Sequence, residues 1–239
     1  MAMGKLTQWM DEKLYPDYAG HWDDELFRQR ILAQITPEQT VLDLGAGAGI
    51  VSQMNFKGLA RKICGVDLDP RVTENPMLDE GRLSDAGAIP YPDGCFDLVF
   101  SDNVLEHLSE PAAVFREVAR VLKPGGLFLF KTPNRFHYVP LIASITPDSF
   151  HEFVHRWRGR KTPDVFPTHY LANSKGDVEK LATANGFAVV RIERIEGRPE
   201  YLRKTFITYV AGAAYERLVN SASVFEPLRV ILIGALRRI

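Results

Sequence analysis

Residues 41–50 read VLDLGAGAGI, a short apolar run that ends in glycines at alternate positions. The run has the length and composition of a buried strand. The turn after it, through Gly45, Gly47 and Gly49, exposes bare backbone and tolerates angles that other residues avoid, so a ligand can approach the main chain closely, as it does at a helix N-terminus. Several cofactors use such turns, and two absences narrow the choice. A phosphate-cradling loop closes on Gly-Lys-Ser/Thr, whereas Gly49 is followed by Ile50 and Val51. The dinucleotide fingerprint G-x-G-x-x-G needs glycine at position 50, where Ile50 stands. Asp43 precedes the glycines, and a carboxylate there repels a pyrophosphate and attracts a cation. The loop therefore suits a nucleoside that carries positive charge and no phosphate. Asp67 follows by about twenty residues, the spacing at which an acid accepts ribose hydroxyls; otherwise it caps the next turn.

A strand that ends in a ligand loop needs neighbours, and the chain supplies them. KICGVDLD, a weak stretch near 81–83, CFDLVFS, LFLFKT, FAVVRIERI and residues near 228–236 read as further strands. PAAVFREVARVL places Val114, Val118, Val121 and Leu122 on one helix face, and KPGG ends it. Ser174 with Asp177 resembles a capping box, opening a helix through Ala184 that Gly186 ends. A further helix is expected near 200–220. The alternation predicts an α/β, Rossmann-like fold, a mostly parallel sheet with helices on both faces. Residues 1–37 read as two short helices, the second with Leu26, Arg30 and Ala33 at helical spacing and Ile31 and Ile35 alongside. They carry Trp9, Tyr15, Tyr18 and Trp22 and precede a domain spanning 38–239. Residues 133–173, rich in aromatics, His and Arg, break the alternation as an insertion.

The chain of 239 residues carries 29 basic and 30 acidic side chains, so no global basic field points to nucleic acid. Its two cysteines, Cys64 and Cys95, form no C-x-x-C, which argues against a disulfide scaffold or a cysteine zinc site and fits a cytoplasmic location. No secretory leader is expected from the N-terminal residues. No run reaches the ~18 apolar residues of a membrane span, though peripheral membrane contact stays open.

Four stretches fall into order: VLDLGAGAG, GVDLDP, DAGAIPYPDGCFDLVFSDNVLEHL and VFREVARVLKPGGLFLFKTPN. Together they resemble the successive motifs of class I S-adenosylmethionine-dependent methyltransferases. The nearest group is the broad methyltransferase type 11 set, which includes ubiquinone and menaquinone biosynthesis enzymes. The resemblance covers residues 38 to 135. It implies that the helices of residues 1–37, with Trp9, Tyr15, Tyr18 and Trp22, form an N-terminal helical lid, and that the insertion at about 133–173 is a helical cap over the acceptor. It implies a seven-stranded sheet with the last strand antiparallel, S-adenosylmethionine as cofactor, S-adenosylhomocysteine as product, and no metal. It implies that Gly45, Ala46, Gly47 and Gly49 face the methionine part, with Asp43 organising its ammonium side. Asp67 would hold the ribose, Leu68 would pack on the adenine, and Asp85 and the Ala86 N–H would meet the adenine edge. Asp102 and Asn103 would line the sulfonium side. These acids sit at or just after strand ends, where ligands of such sheets bind.

Methyl transfer from a sulfonium is an in-line displacement by an already activated donor, and alignment alone can supply roughly 7–11 kcal/mol. An alcohol acceptor must also lose a proton; a carboxylate or thiolate needs no base. His107 in NVLEHL is one candidate base. In the insertion His137, His151, His155 and His169 also titrate in the right range. His151-Glu152-Phe153-Val154-His155 is a literal H-E-x-x-H, the zinc-hydrolase pattern. Its extended form needs a further His and a Gly where Lys161 and Arg158 stand, and Glu179, which could serve as a downstream third ligand, falls on the helix expected through Ala184. The expectation is therefore that His151 and His155 share a helix face turned to the acceptor. Arg135, His137, Tyr138, Trp157, His169 and Tyr170 are the candidate acceptor-binding residues. Arg135, Arg156, Arg158, Arg160 and Lys161 outweigh Asp148 and Glu152, which favours an acceptor with an anionic part. The aromatics could equally form a private core, and the charges a solvated run. The expected reaction is O-methylation of a small-molecule or lipid- or glycan-linked acceptor with an anionic or aromatic part. C-methylation of a quinone-like ring, nicotinamide-dependent oxidoreduction and non-catalytic cofactor binding are its rivals. A monomer and a homodimer are both open.

Overall fold

The computed structural model describes residues 4–18, 20–145 and 167–239. His151, His155, Trp157 and the basic run 156–161 lie outside the described residues. Seven strands form one sheet: β1 (Thr40–Leu44), β2 (Lys62–Asp67), β3 (Glu80–Leu83), β4 (Phe96–Asp102), β5 (Leu122–Pro133), β6 (Phe187–Ile195) and β7 (Ile231–Arg238). Their order is β3-β2-β1-β4-β5-β7-β6. The first five pair in parallel, and β7 runs antiparallel to both β5 and β6. The chain leaves β1 in one direction and returns to its other side at β4. That reversal opens a crevice at the carboxyl ends of β1 and β4.

Each face of the sheet has its own apolar layer. On one, Trp22, Phe27 and Ile31 of α2 (Trp22–Leu32) pack with Val41, Ile63, Leu98 and Phe100. On the other, α3 (Pro111–Val121) and, beyond α4 (Tyr138–Ile145) in the chain, α5 (Lys175–Ala184) bring Val114, Phe115, Val118, Val178 and Ala182 onto Leu42, Val99 and Phe128. Full burial of each large apolar side chain stabilises by roughly 1.5–3 kcal/mol. The expected cap on α5 is present: Ser174 Oγ accepts from the Asp177 N–H at 3.1 Å.

Three local expectations need correction. The inner stripe of α2 is Trp22, Phe27 and Ile31, not Leu26, Arg30 and Ala33; Arg30 reaches sideways to Glu193 of β6 at 3.1 Å. The Lys123–Gly126 run lies inside β5, which starts at Leu122, and the ladder shifts register opposite Phe96 and Leu98. The glycine loop leads into no α-helix, only into a single 3-10 turn, Ser52–Met54. The segment from Ile50 to Arg61 is too short and too interrupted by Asn55 and Gly58 to build more.

Two helices carry the N-terminal segment to different places. α1 (Lys5–Leu14) docks on α6 (Phe206–Ser221), the helix between β6 and β7. Met10 and Tyr15 pack on Tyr209 there, Tyr15 Oη donates to Glu216 at 3.1 Å, and Tyr209 Oη donates to Asp11 at 2.7 Å. α2 instead lies on the sheet, its first turn against the ends of β4 and β5.

Candidate active site

The crevice holds two compartments that share Gly45, Asp67 and Asp102. The larger, about 650 Å³, runs past Leu68, Asp85, Ala86, Asn103, Val104 and His107. The smaller, about 230 Å³, lies along the glycine loop beside Asp43, Ile50, Asn75 and Met77. Eleven proposed cofactor residues, Asp43, Gly45, Ala46, Gly47, Gly49, Asp67, Leu68, Asp85, Ala86, Asp102 and Asn103, thus line one or both.

The loop's shape depends on glycine. Gly45, Gly47 and Gly49 have φ of +85°, +51° and +70°, and a Cβ at Gly45 would collide with Val104. Asp67 holds the turn: Oδ2 accepts from the Gly47 N–H at 2.8 Å and Oδ1 from the Asp69 N–H at 2.7 Å. Each carboxylate oxygen retains a second lone pair for a ligand hydroxyl. Asp85 folds back so that Oδ1 accepts from the Gly87 N–H at 2.6 Å. Leu68 is 59% exposed at the mouth of the larger compartment, an apolar face suited to a flat ring. Asn103, at φ +54°, sits in the left-handed region and is pinned by its N–H to the Lys131 carbonyl at 2.9 Å.

The wall between the compartments is strongly acidic. Lys131, fully buried at the end of β5, pairs with Asp23 at 3.1 Å, with Asp24, and with Asp102 at 2.9 Å. One ammonium therefore faces three carboxylates. Burial pushes the Asp102 carboxyl up to about 6; Lys131 opposes the rise, and Asp24 and Asp23 add to it. Asp43, beside this group, lies well above the ordinary range through burial and then the repulsion of Asp102 and Asp67. Excess negative charge of this kind, held out of water, draws a cation.

His107 closes the single 3-10 turn Leu105–His107 after β4 and lines the larger compartment. Its Nδ1 stands 2.7 Å from the Pro167 carbonyl, which can only accept. Nδ1 therefore carries the hydrogen, and in the neutral ring Nε2 is the basic nitrogen. Glu106 Oε1 lies 3.9 Å from Nε2. Glu106 is itself held by Thr132 Oγ1 at 3.0 Å, and its carbonyl accepts from the His169 and Tyr170 N–H groups.

The expected acceptor residues do not gather here. Arg135 pairs with Asp177 at 3.3 Å. His137 is 1% exposed and packs with Tyr138, Tyr201 and Tyr215. Burial lowers its pKa to about 3, too weak for a base at neutral pH, which corrects that expectation. His169 is exposed, and Tyr170, at φ +53°, is half-buried near Glu106. None of the five lines either compartment. Lys131, Glu106 and Asn75 were not anticipated. The acidic pair at the head of α2 is the one sequence signal that could have pointed to Lys131.

The strand order, the glycine turn after β1, the acid ending β2 and the acidic crevice define a class I methyltransferase domain. Residues 42–130 match the family model described as "Methyltransferase domain", and the chain belongs to this S-adenosylmethionine-dependent family. It is 31% identical over 172 residues to a Mycolicibacterium smegmatis protein named "Probable S-adenosylmethionine-dependent methyltransferase", covering 69% of this chain and 58% of that one. It is 31% identical over 144 residues to the ubiquinone biosynthesis O-methyltransferase of Albidiferax ferrireducens, covering 51% of this chain and 57% of that one. The chain thus spans less than two thirds of the length of these relatives. Among solved structures, an S-adenosylmethionine-dependent methyltransferase from Mesorhizobium loti aligns with a TM-score of 0.57 at 20% identity, covering 93% of this chain and 99% of that one, a likeness of fold.

Proposed function

We propose that the protein transfers a methyl group from S-adenosylmethionine to a small-molecule acceptor, with adenosine in the larger compartment and the methionine part in the smaller. The acidic lining carries this reading: Asp67 and Asp102 line both compartments and Asp43 the smaller, while behind Asp102 one Lys131 ammonium faces Asp23 and Asp24 as well. A sulfonium and an α-ammonium supply what is missing. Asp67 would take the ribose hydroxyls, Leu68 the adenine face, and Asp85 with Ala86 its edge. Calorimetric titration with S-adenosylmethionine and with NAD tests the reading. The first is expected to bind and the second not; the reverse would overturn it.

In the reaction the acceptor's lone pair forms the new bond to the methyl carbon. The carbon–sulfur bond breaks, and its electron pair stays on sulfur as a neutral thioether. Positive charge leaves sulfur on the way, so the acidic wall contributes to binding more than to rate. Rate comes from alignment and, for a hydroxyl acceptor, from proton removal. We take the acceptor to be a hydroxyl, with His107 Nε2 receiving its proton and Glu106 stabilising the imidazolium. The name of the Albidiferax relative and the fixed orientation of His107 support this choice. In the sequence, the basic run at 156–161 favours an anionic part on the acceptor. Among the described residues no helix is long and apolar enough to cross a membrane. His107→Ala is expected to lower kcat by roughly 10²–10⁴-fold with little change in cofactor affinity. Labelled-methyl transfer into a cell extract, followed by identification of the product, gives the acceptor for that assay.

The same wall makes cofactor binding depend on pH. A cation prefers Asp102 ionised, and its carboxyl titrates at about 6. Affinity is therefore expected to fall below that pH, by about tenfold per unit at most for one coupled proton, and to level off above it. Titrations between mild acid and neutral pH check this, and Asp102→Asn should flatten the dependence.

A further inference from the structure

The glycine loop lacks the support its position calls for. With only the Ser52–Met54 turn behind it, no helix frames Gly45–Gly49. Support comes from the opposite side, from the turn between β2 and β3. Asn75, 7% exposed, donates from Nδ2 to the carbonyls of Ala46 at 3.0 Å and Gly47 at 3.2 Å. Its Oδ1 accepts from the Met77 N–H at 2.9 Å. Its own main chain is fixed by bonds to the Val72 carbonyl and from the Leu78 N–H. A Cβ on Gly49 would collide with Asn75 Oδ1, so the side chain fills the space that glycine leaves. Gly47 is thus held from both ends, its N–H by Asp67 and its carbonyl by Asn75.

We propose that Asn75 is the positioning residue that sets the glycine loop for the cofactor, in place of the absent helix. The proposal rests on the S-adenosylmethionine reading above. The geometry asks for donors and an acceptor on one short side chain. Aspartate would turn an oxygen toward two carbonyls, alanine reaches neither, and glutamine carries one methylene too many for the space beside Gly49.

The test uses the full chain with Asn75→Ala and Asn75→Asp. Hydrogen exchange of the 42–50 segment in unliganded protein should quicken selectively in both. S-adenosylmethionine should bind about tenfold more weakly or worse, and the loss should fall on KM for the cofactor more than on kcat. Gly49→Ala should cost less affinity in the Asn75→Ala background than alone, because its Cβ enters the vacated space; the strain at φ +70° is common to both. The isosteric Asn75→Asp keeps the Met77 bond and so protects the test against simple misfolding. Unchanged loop exchange would overturn the proposal, and so would a loss of protection spread evenly through the sheet with a lower Tm. If the parent protein binds no S-adenosylmethionine, the cofactor reading fails, and the loop exchange still decides the role of Asn75.

Discussion

Asp67→Ala is expected to leave the sheet folded and to weaken S-adenosylmethionine binding by a hundredfold or more. The effect is large because one carboxylate serves two purposes. It anchors the Gly47 and Asp69 N–H groups at 2.8 and 2.7 Å, and its remaining lone pairs face both compartments. Hydrogen bonds to a charged acceptor contribute roughly 1.5–3 kcal/mol each, so losing two ribose bonds alone accounts for about a hundredfold. The main-chain ladder from β2 to β3 does not use this side chain, so Tm should move little. Calorimetry with both S-adenosylmethionine and adenosine makes the result diagnostic. Asp67→Ala should weaken both ligands, because both carry the ribose. Asp43→Asn should weaken S-adenosylmethionine and spare adenosine. If Asp67→Ala spared adenosine, the larger compartment would not be the nucleoside site.

The central strands were legible because each reports its own burial. Val41, Leu42 and Leu44 are fully buried on both sides of the strand, with Asp43 alone breaking the apolar run, as suits a strand covered on both faces. The loop was legible for a similar reason, since alternating glycines after such a run meet a steric demand that few other contexts make. Features built by contact between distant segments were not. Nothing in LFLFKT says that Lys131 is buried, because its partners, Asp23 and Asp24, lie on a helix about a hundred residues earlier. Asn75 sits in a turn with no periodicity, and its role follows only from where β2 delivers it. A helix start after Gly49 was expected from the glycine turn, and the intervening residues are too few and too broken for it. His137 was placed among the acceptor residues by composition; it packs instead among tyrosines, where burial suppresses its basicity.

Lys131→Met is expected to cost stability more than any surface change, and to do so in a pH-dependent way. Methionine fills a similar volume but leaves Asp23, Asp24 and Asp102 facing one another around a site with no exposure at position 131. Removing one member of a buried ion cluster costs about 3–5 kcal/mol, because the charges left behind are neither hydrated nor paired. The pH sign follows from the carboxylates. Asp102 already titrates at about 6 in the folded protein, above its ordinary value, and losing the ammonium raises it further. A carboxyl raised on folding contributes stability at low pH that is lost as pH rises through the folded value. Lys131 is itself raised, so in the parent its contribution is lost only above the ordinary lysine range. Urea unfolding should therefore show a small deficit for Lys131→Met near pH 5 and the full deficit at pH 8. Adding Asp24→Asn should recover part of the loss at the higher pH. A deficit of equal size at both pH values would mean that position 131 acts by packing, and that the acidic wall is not balanced by this lysine.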